Sequence, residues 1–182
     1  MAESREATGR MRTAEVLDRS FLEGLEGLPT EEVRRRRDES LAEREFQSYL
    51  RRQVQARQDI LASERARREA GRESPPLVER LTSALSTGPR SERARGEALR
   101  TTLTDSDIEE AEQQLSGLLP GGPQDDPSAL DDEELEQSLE ELTGAERAVS
   151  ARRAEVIRVH DRLQEELKRR YREDPSEIPS EV

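Results

Sequence analysis

Two stretches of this chain carry the same polar residues at the same spacing. Ser48 to Asp59 reads SYLRRQVQARQD, and Ser150 to Asp161 reads SARRAEVIRVHD. Each opens on a serine and has an arginine three residues on (Arg51, Arg153), a valine six on (Val54, Val156) and an aspartate eleven on (Asp59, Asp161). At about 100° per residue, Ser48, Arg51, Gln55 and Asp59 share one face of a helix. That face offers a hydroxyl, a planar guanidinium, an amide and a carboxylate. The guanidinium binds phosphate, donates to guanine O6 and N7, or stacks on a base. A carboxylate accepts from guanine N1–H and N2–H, and the hydroxyl and amide reach phosphate or ribose. Two copies on antiparallel helices obey a local pseudo-two-fold and suit a ligand with the same symmetry, such as a symmetric guanine dinucleotide. The same residues also recur by chance on the solvated face of an arginine-rich helix, and spacing alone does not choose between these readings.

The elements that must position the stripes are long helices. Hydrophobic residues make up 31% of the chain and aromatics 2%, against 40% charged. The aromatic supply is Phe21, Phe46, Tyr49 and Tyr171, too little for a thick core. This balance fits extended coiled coil and disorder, in different segments. Pro29-Thr30-Glu31-Glu32 reads as a helix start with Thr30 as N-cap, and no Pro or Gly follows until Gly71. The helix so predicted has about 40 residues and is roughly 60 Å long. Its apolar residues Phe46, Leu50, Val54 and Leu61 lie on a face away from the polar stripe. Asp131 opens a second helix that runs to about Glu173. There Leu135, Leu142, Val149, Val156 and Leu163 recur every seven residues, with Leu139 and Leu167 alongside, the pattern of a coiled coil.

The expected fold class is all-α: two long helices in an antiparallel coiled coil, with a short helix and flexible segments between them. Residues 1–28 read as a flexible N-terminal tail whose patch FLEGLEGL docks or folds on a partner. Residues 29–70 form the first long helix and 131–173 the second. Residues 71–130 are a linker with short helices, among them Thr104 to Leu119 with Ile108, Ala111, Leu115 and Leu118 on one face. Residues 174–182 read as a second flexible tail. A seam between only two helices is thin, so stability is expected to be marginal until a partner adds surface.

Charge and composition narrow the partners. A net charge of −12 disfavours free DNA and anionic membranes, and no interleaved aromatics offer stacking platforms for single strands. There is no cysteine, so thiolate and disulfide chemistry are excluded. No apolar run approaches a membrane span, the N-terminus lacks the apolar stretch of a secretory signal, and a cytoplasmic location is expected. Neither a zinc-type cluster nor a glycine-rich phosphate loop occurs. Glu109–Glu110 and Glu140–Glu141 point about 100° apart on their helices and make no catalytic dyad. His160 reads as a seam residue, and Arg34 to Arg37 as a solvated face with flanking acids. No enzyme is expected. The competing reading is a coiled-coil scaffold or adaptor without ligand, which accounts for the heptads but not for the recurrence of Ser, Arg and Asp off the seam.

The paired stripes resemble the RsiG family, the anti-sigma factors of spore-forming actinobacteria. The family pattern, E-x3-S-x2-R-x3-Q-x3-D, occurs once on each of two antiparallel helices. Here the first copy has Ser48, Arg51, Gln55 and Asp59, with Arg44 where the pattern has Glu. The second has Glu146, Ser150, Arg153 and Asp161, with Ile157 where the pattern has Gln. The flanking text EFQSYLRRQVQARQDIL and ERAVSARRAEV is also similar to the family, over residues 28–65 and 131–170. The resemblance implies that these residues hold cyclic-di-GMP, two molecules per chain as a partly intercalated dimer. It further implies that the loaded protein keeps a WhiG-like sporulation sigma factor from RNA polymerase.

Overall fold

The computed structural model describes residues 12–71, 103–116 and 126–177. Among these, four α-helices appear in chain order: α1 (Thr13–Val16), α2 (Thr30–Glu69), α3 (Asp105–Ser116) and α4 (Asp132–Glu173). Short 3-10 turns occupy Arg19–Phe21, Leu25–Gly27, Pro127–Ala129 and Pro175–Glu177, and no described residue lies in a strand. The all-α expectation with two long helices holds.

The helix ends follow from local chemistry. Acids in the first turn of α2 (Glu31, Glu32) and arginines in its last (Arg67, Arg68) complement the helix dipole. Gly71 closes α2 in the left-handed region at φ 63°, its N–H donating to the Arg68 carbonyl at 3.0 Å. α4 opens on a reciprocal cap: Glu134 N–H donates to Asp131 Oδ1 at 2.8 Å and Asp131 N–H to Glu134 Oε2 at 2.9 Å. α3 opens the same way on Thr104 and Asp107. Thr30, expected as the α2 cap, is instead its first helical residue. Its hydroxyl donates to Glu177 and accepts from Arg170 Nη1 at 3.1 Å, so it is not available to the helix start.

The chain divides into two compact units. In the first, residues 12–48, 103–108 and 150–177, the early half of α2 runs antiparallel to the late half of α4. Contacts rise along α2 as they fall along α4: Arg34 Nε donates to the Tyr171 hydroxyl at 2.9 Å, Ser40 Oγ lies 3.1 Å from His160 Nδ1, and Arg153 Nε donates to Ser48 Oγ at 2.8 Å. Val33, Val156, Leu163 and Leu167 form the core with Val16, Phe21 and Leu25. The last three correct the expected flexible tail at 1–28. From Arg12 onward that segment is folded, as α1 and two 3-10 turns. The reason is supply: α2 gives this core Val33 alone, so the apolar residues ahead of it complete the cover. Arg36 fixes the segment by donating to the Phe21 carbonyl at 2.5 Å with its guanidinium 5.6 Å from the Phe21 ring. Thr13 adds a donor bond to the buried Glu43 at 2.5 Å. At the other end, 174–177 is also tied down, by Thr30 and Arg34 on Glu177.

In the second unit, residues 49–71, 109–116 and 126–149, the late half of α2 runs antiparallel to the early half of α4. Gln58 Nε2 donates to Thr143 Oγ1 at 3.2 Å, Arg65 pairs with Glu136 at 3.3 Å and Arg68 with Asp132 at 2.6 Å. Leu50, Val54 and Leu61 are buried, as are Leu135, Leu139, Leu142 and Val149 of the heptad seam and Ala111 and Leu115 of α3. The short helix expected over Thr104 to Leu119 is present as Asp105–Ser116; Leu118 and the expected linker stretches 72–102 and 117–125 lie outside the described residues.

One buried carboxylate gives the first unit a pH dependence. Arg169 and Arg170 hold Glu166 down to about 2, the Arg169 hydrogen bonds being the larger cause and burial opposing them. A folded-state value below the ordinary 4.5 means the stabilisation is complete above about pH 4.5 and is lost as pH falls toward 2. Urea unfolding midpoints measured from pH 7 to pH 3 are therefore expected to fall below pH 4.5, and to fall less steeply in Glu166→Gln.

Candidate functional site

The two stripes repeat each other in burial as well as in sequence. Arg44, Ser48, Arg51 and Gln55 are half-buried and Asp59 is exposed; Glu146, Ser150, Arg153 and Ile157 are half-buried and Asp161 is exposed. The structure distributes the stripe residues over the two units, and each set makes its own contacts.

In the second unit, Glu146 gathers the amide and guanidinium of the first stripe. Arg51 Nε donates to Glu146 Oε1 at 2.8 Å and Gln55 Nε2 donates to the same oxygen at 3.3 Å. The Arg51 side chain is 40% exposed, so this ion pair is open to solvent and adds little stability. Nε is the guanidinium nitrogen it engages, and the two terminal nitrogens carry four more donors. Asp59 stands exposed one turn beyond Gln55.

In the first unit, Ser48 takes the place that a carboxylate holds in the second. Its hydroxyl donates to the Arg44 carbonyl at 2.7 Å and accepts from Arg153 Nε at 2.8 Å. The residue types account for this. The residue matching Glu146 is Arg44, whose guanidinium cannot accept from Arg153 Nε; the Ser48 hydroxyl does. Burial and then the nearby Arg44 charge push His160 below the usual histidine range. The neutral ring sits buried against Ser40 Oγ, as expected for a seam residue. Ser150 is half-buried and Asp161 exposed on the outer side of α4.

Other polar features serve different ends. The run Arg34 to Arg37 is matched by acids of its own helix: Arg34 with Glu31 at 2.9 Å, Arg35 with Glu32 at 2.6 Å and Arg36 with Glu32 at 2.9 Å, while Arg37 lies 2.7 Å from Asp38. A cavity of about 640 Å3 in the second unit is lined by Tyr49, Gln53, Arg57, Glu109, Glu112 and Gln113 among others. Arg57 Nη1 is buried there without a hydrogen bond, and burial pushes its pKa down. Tyr49, Gln53 and Arg57 form a different helical stripe from Ser48, Arg51 and Gln55. The sequence reading passed over two further groups, Glu64 with Arg67 and Arg68, and Glu166 with Arg169 and Arg170. Their signal was present: E-x2-R-R starts at Glu64 and at Glu166, at the offset that relates Ser48 to Ser150, though it also starts at Glu31 and Glu32.

The stripe contacts are too exposed to be there for stability. Glu146→Ala is expected to lower the unfolding free energy by about 0.5 kcal/mol, whereas Leu142→Ala, fully buried on the seam, is expected to lower it by about 2–5 kcal/mol. Urea titrations followed by far-UV circular dichroism check both.

Comparison with known proteins bears on the first stripe and on the core of the first unit. No curated protein matches the chain. No helix among the described residues is long and apolar enough to cross a membrane. Residues 19–85 match the profile of the RsiG-like family, a span that holds Phe21, Leu25, all of α2 and the stripe from Arg44 to Asp59. Over residues 19–85, about a third of its length, the chain is thus similar to the RsiG-like family.

Proposed function

We propose that the protein is a cytoplasmic anti-sigma factor that binds cyclic-di-GMP on its two stripes and, when loaded, holds a WhiG-like sporulation sigma factor away from RNA polymerase. The observation that carries this reading is the recurrence of one polar stripe, equal in burial, on both long helices of a chain whose first long helix matches the RsiG-like family. Arg51 and Arg153 would supply the guanidinium groups for phosphate or guanine. Asp59 and Asp161 would accept from guanine N–H groups, and Ser48, Ser150 and Gln55 would reach ribose or phosphate. Two molecules of the dinucleotide per chain match two stripes, and their negative charge needs this local arginine supply because the chain as a whole carries −12. Glu146 acts in the unloaded protein as a placeholder that keeps Arg51 and Gln55 aligned. Arg44 adds a cation to its half-site and Ile157 removes an amide from the other, so the two half-sites differ in strength. The role is regulatory, with no chemical step: the nucleotide stabilises the state it binds better, and a fall in its concentration releases the sigma factor.

The competing reading, a scaffold without ligand, makes a different forecast. Calorimetric titration of the purified chain with cyclic-di-GMP is expected to give about two nucleotides per chain. Arg51→Ala and Arg153→Ala are each expected to weaken binding at least tenfold while keeping the helical circular dichroism. Absence of heat, both alone and with a WhiG-like sigma factor present, would return the protein to the scaffold class.

A further inference from the structure

Each long helix carries a buried glutamate near its C-terminal end, and each glutamate seats a pair of arginines. In the second unit Glu64 receives Arg67 through Nε at 2.9 Å and Nη2 at 2.6 Å, and Arg68 through Nε at 2.9 Å. The far edge of Arg68 then reaches the lead-in to α4: Asp132 at 2.6 Å, the Leu130 carbonyl at 2.7 Å and the Pro127 carbonyl at 3.2 Å. In the first unit Glu166 receives Arg169 through Nε at 2.9 Å and Nη2 at 2.7 Å, and Arg170 through Nε at 2.7 Å. The far edge of Arg170 reaches the lead-in to α2: the Leu28 carbonyl at 2.6 Å, Thr30 Oγ1 at 3.1 Å and the Leu25 carbonyl at 2.8 Å. The correspondence is residue for residue. Glu64, Arg67 and Arg68 stand to Glu166, Arg169 and Arg170 at the offset that relates Ser48 to Ser150. So do the targets, Leu25 to Pro127, Leu28 to Leu130 and Thr30 to Asp132.

We infer that Arg68 and Arg170 are positioning residues: each locks the axial register of α2 against α4 in its own unit, and with it the pairing of the stripe residues there. The seam cannot do this alone. Its residues Leu135, Leu142, Val149, Val156 and Leu163 repeat every seven positions, so a slide of one heptad sets leucine or valine on the former place of its neighbour. Such a slide moves one helix about 10 Å along the other and separates Arg51 from Glu146 and Arg153 from Ser48. The chain between α2 and α4 is too long to forbid it. The clamps forbid it because a guanidinium edge needs acceptors in one plane at fixed places. The three acceptors at each lead-in lie ahead of or at the first turn, where no repeat supplies a substitute. The buried glutamates hold the arginines of their own helix, and it is the far guanidinium edges, reaching the other helix's lead-in, that set the register. The inference concerns geometry and holds whether or not the stripes bind a nucleotide.

The absence of cysteine allows a direct test in the full chain. Gln58→Cys with Thr143→Cys reports the observed register, in which those side chains are hydrogen-bonded. Gln58→Cys with Glu136→Cys reports a slide of one heptad. Each pair is oxidised in two backgrounds, the otherwise native chain and the double variant Arg68→Met with Arg170→Met, and the disulfides are counted by peptide mass. In both backgrounds the glutamates keep Arg67 and Arg169, so no buried carboxylate is left unpaired. The expected result is that the slipped disulfide forms at least tenfold more in the double variant, at unchanged helical circular dichroism. A merely stabilising role would lower the melting temperature without producing it. If the methionine variant loses its helical signal, Arg68→Lys with Arg170→Lys decides by the same criterion, since lysine keeps the charge against glutamate but not the planar fork. The slipped disulfide in that variant supports the inference. Observed-register disulfides alone, in whichever variant folds, overturn it.

Discussion

The contact on which the rest of this molecule depends is the narrow seam between α2 and α4. A seam two helices wide buries one side of each and leaves the other to solvent, which is what exposes a polar stripe along both. It also leaves the helices short of apolar partners. In the first unit that shortage is met by chain from outside the long helices, with Val16, Phe21 and Leu25 packed on Val33, Val156, Leu163 and Leu167. In the second, Ala111 and Leu115 of α3 are buried along with the seam. Each unit is thus a helix pair with an added piece, and the piece covers apolar surface that the pair leaves open.

Polar residues do part of the work inside this thin core. Ser40, Glu43, Gln47 and Glu64 of α2 are buried, and so are His160 and Glu166 of α4. Each of them finds a hydrogen-bond partner, Ser40 with His160, Glu43 and Gln47 with Thr13, Glu64 and Glu166 with arginine pairs. Directional bonds of this sort select one arrangement among several that apolar packing would accept. The stripe benefits from that selection. Arg51 meets Glu146 and Arg153 meets Ser48 only in the register that the Arg68 and Arg170 clamps hold.

Much of this was legible in the sequence, and the gaps have physical causes. The heptads of α4 announce its seam because five apolar residues repeat without interruption, and Leu135, Leu142, Val149, Val156 and Leu163 are all buried. The first half of α2 announces less: between Val33 and Phe46 the buried positions are Ser40 and Glu43, and Gln47 follows. With polar residues at several of its buried positions, this stretch has a weak hydropathy signature, which gives no sign that residues 12–28 fold against it. The stripes were found because identical residue types recur at one spacing. The E-x2-R-R clamps recur just as faithfully, yet charged residues near a helix end read as dipole complements until their acceptors are seen. That Ser48 receives Arg153 Nε shows only in the contact, with Arg44 occupying the place that matches Glu146.

The central claim is that the two stripes, and not another surface, form the nucleotide site. Titrating nitrogen-15-labelled protein with cyclic-di-GMP while observing side-chain N–H resonances tests it most directly. The account predicts that the Nε–H signals of Arg51 and Arg153 and the amide of Gln55 shift together and saturate near two nucleotides per chain. The clamp signals of Arg67 and Arg169 should stay in place. Unmoved stripe signals at saturating nucleotide, or shifts confined to Arg57 and the cavity it lines, would contradict it.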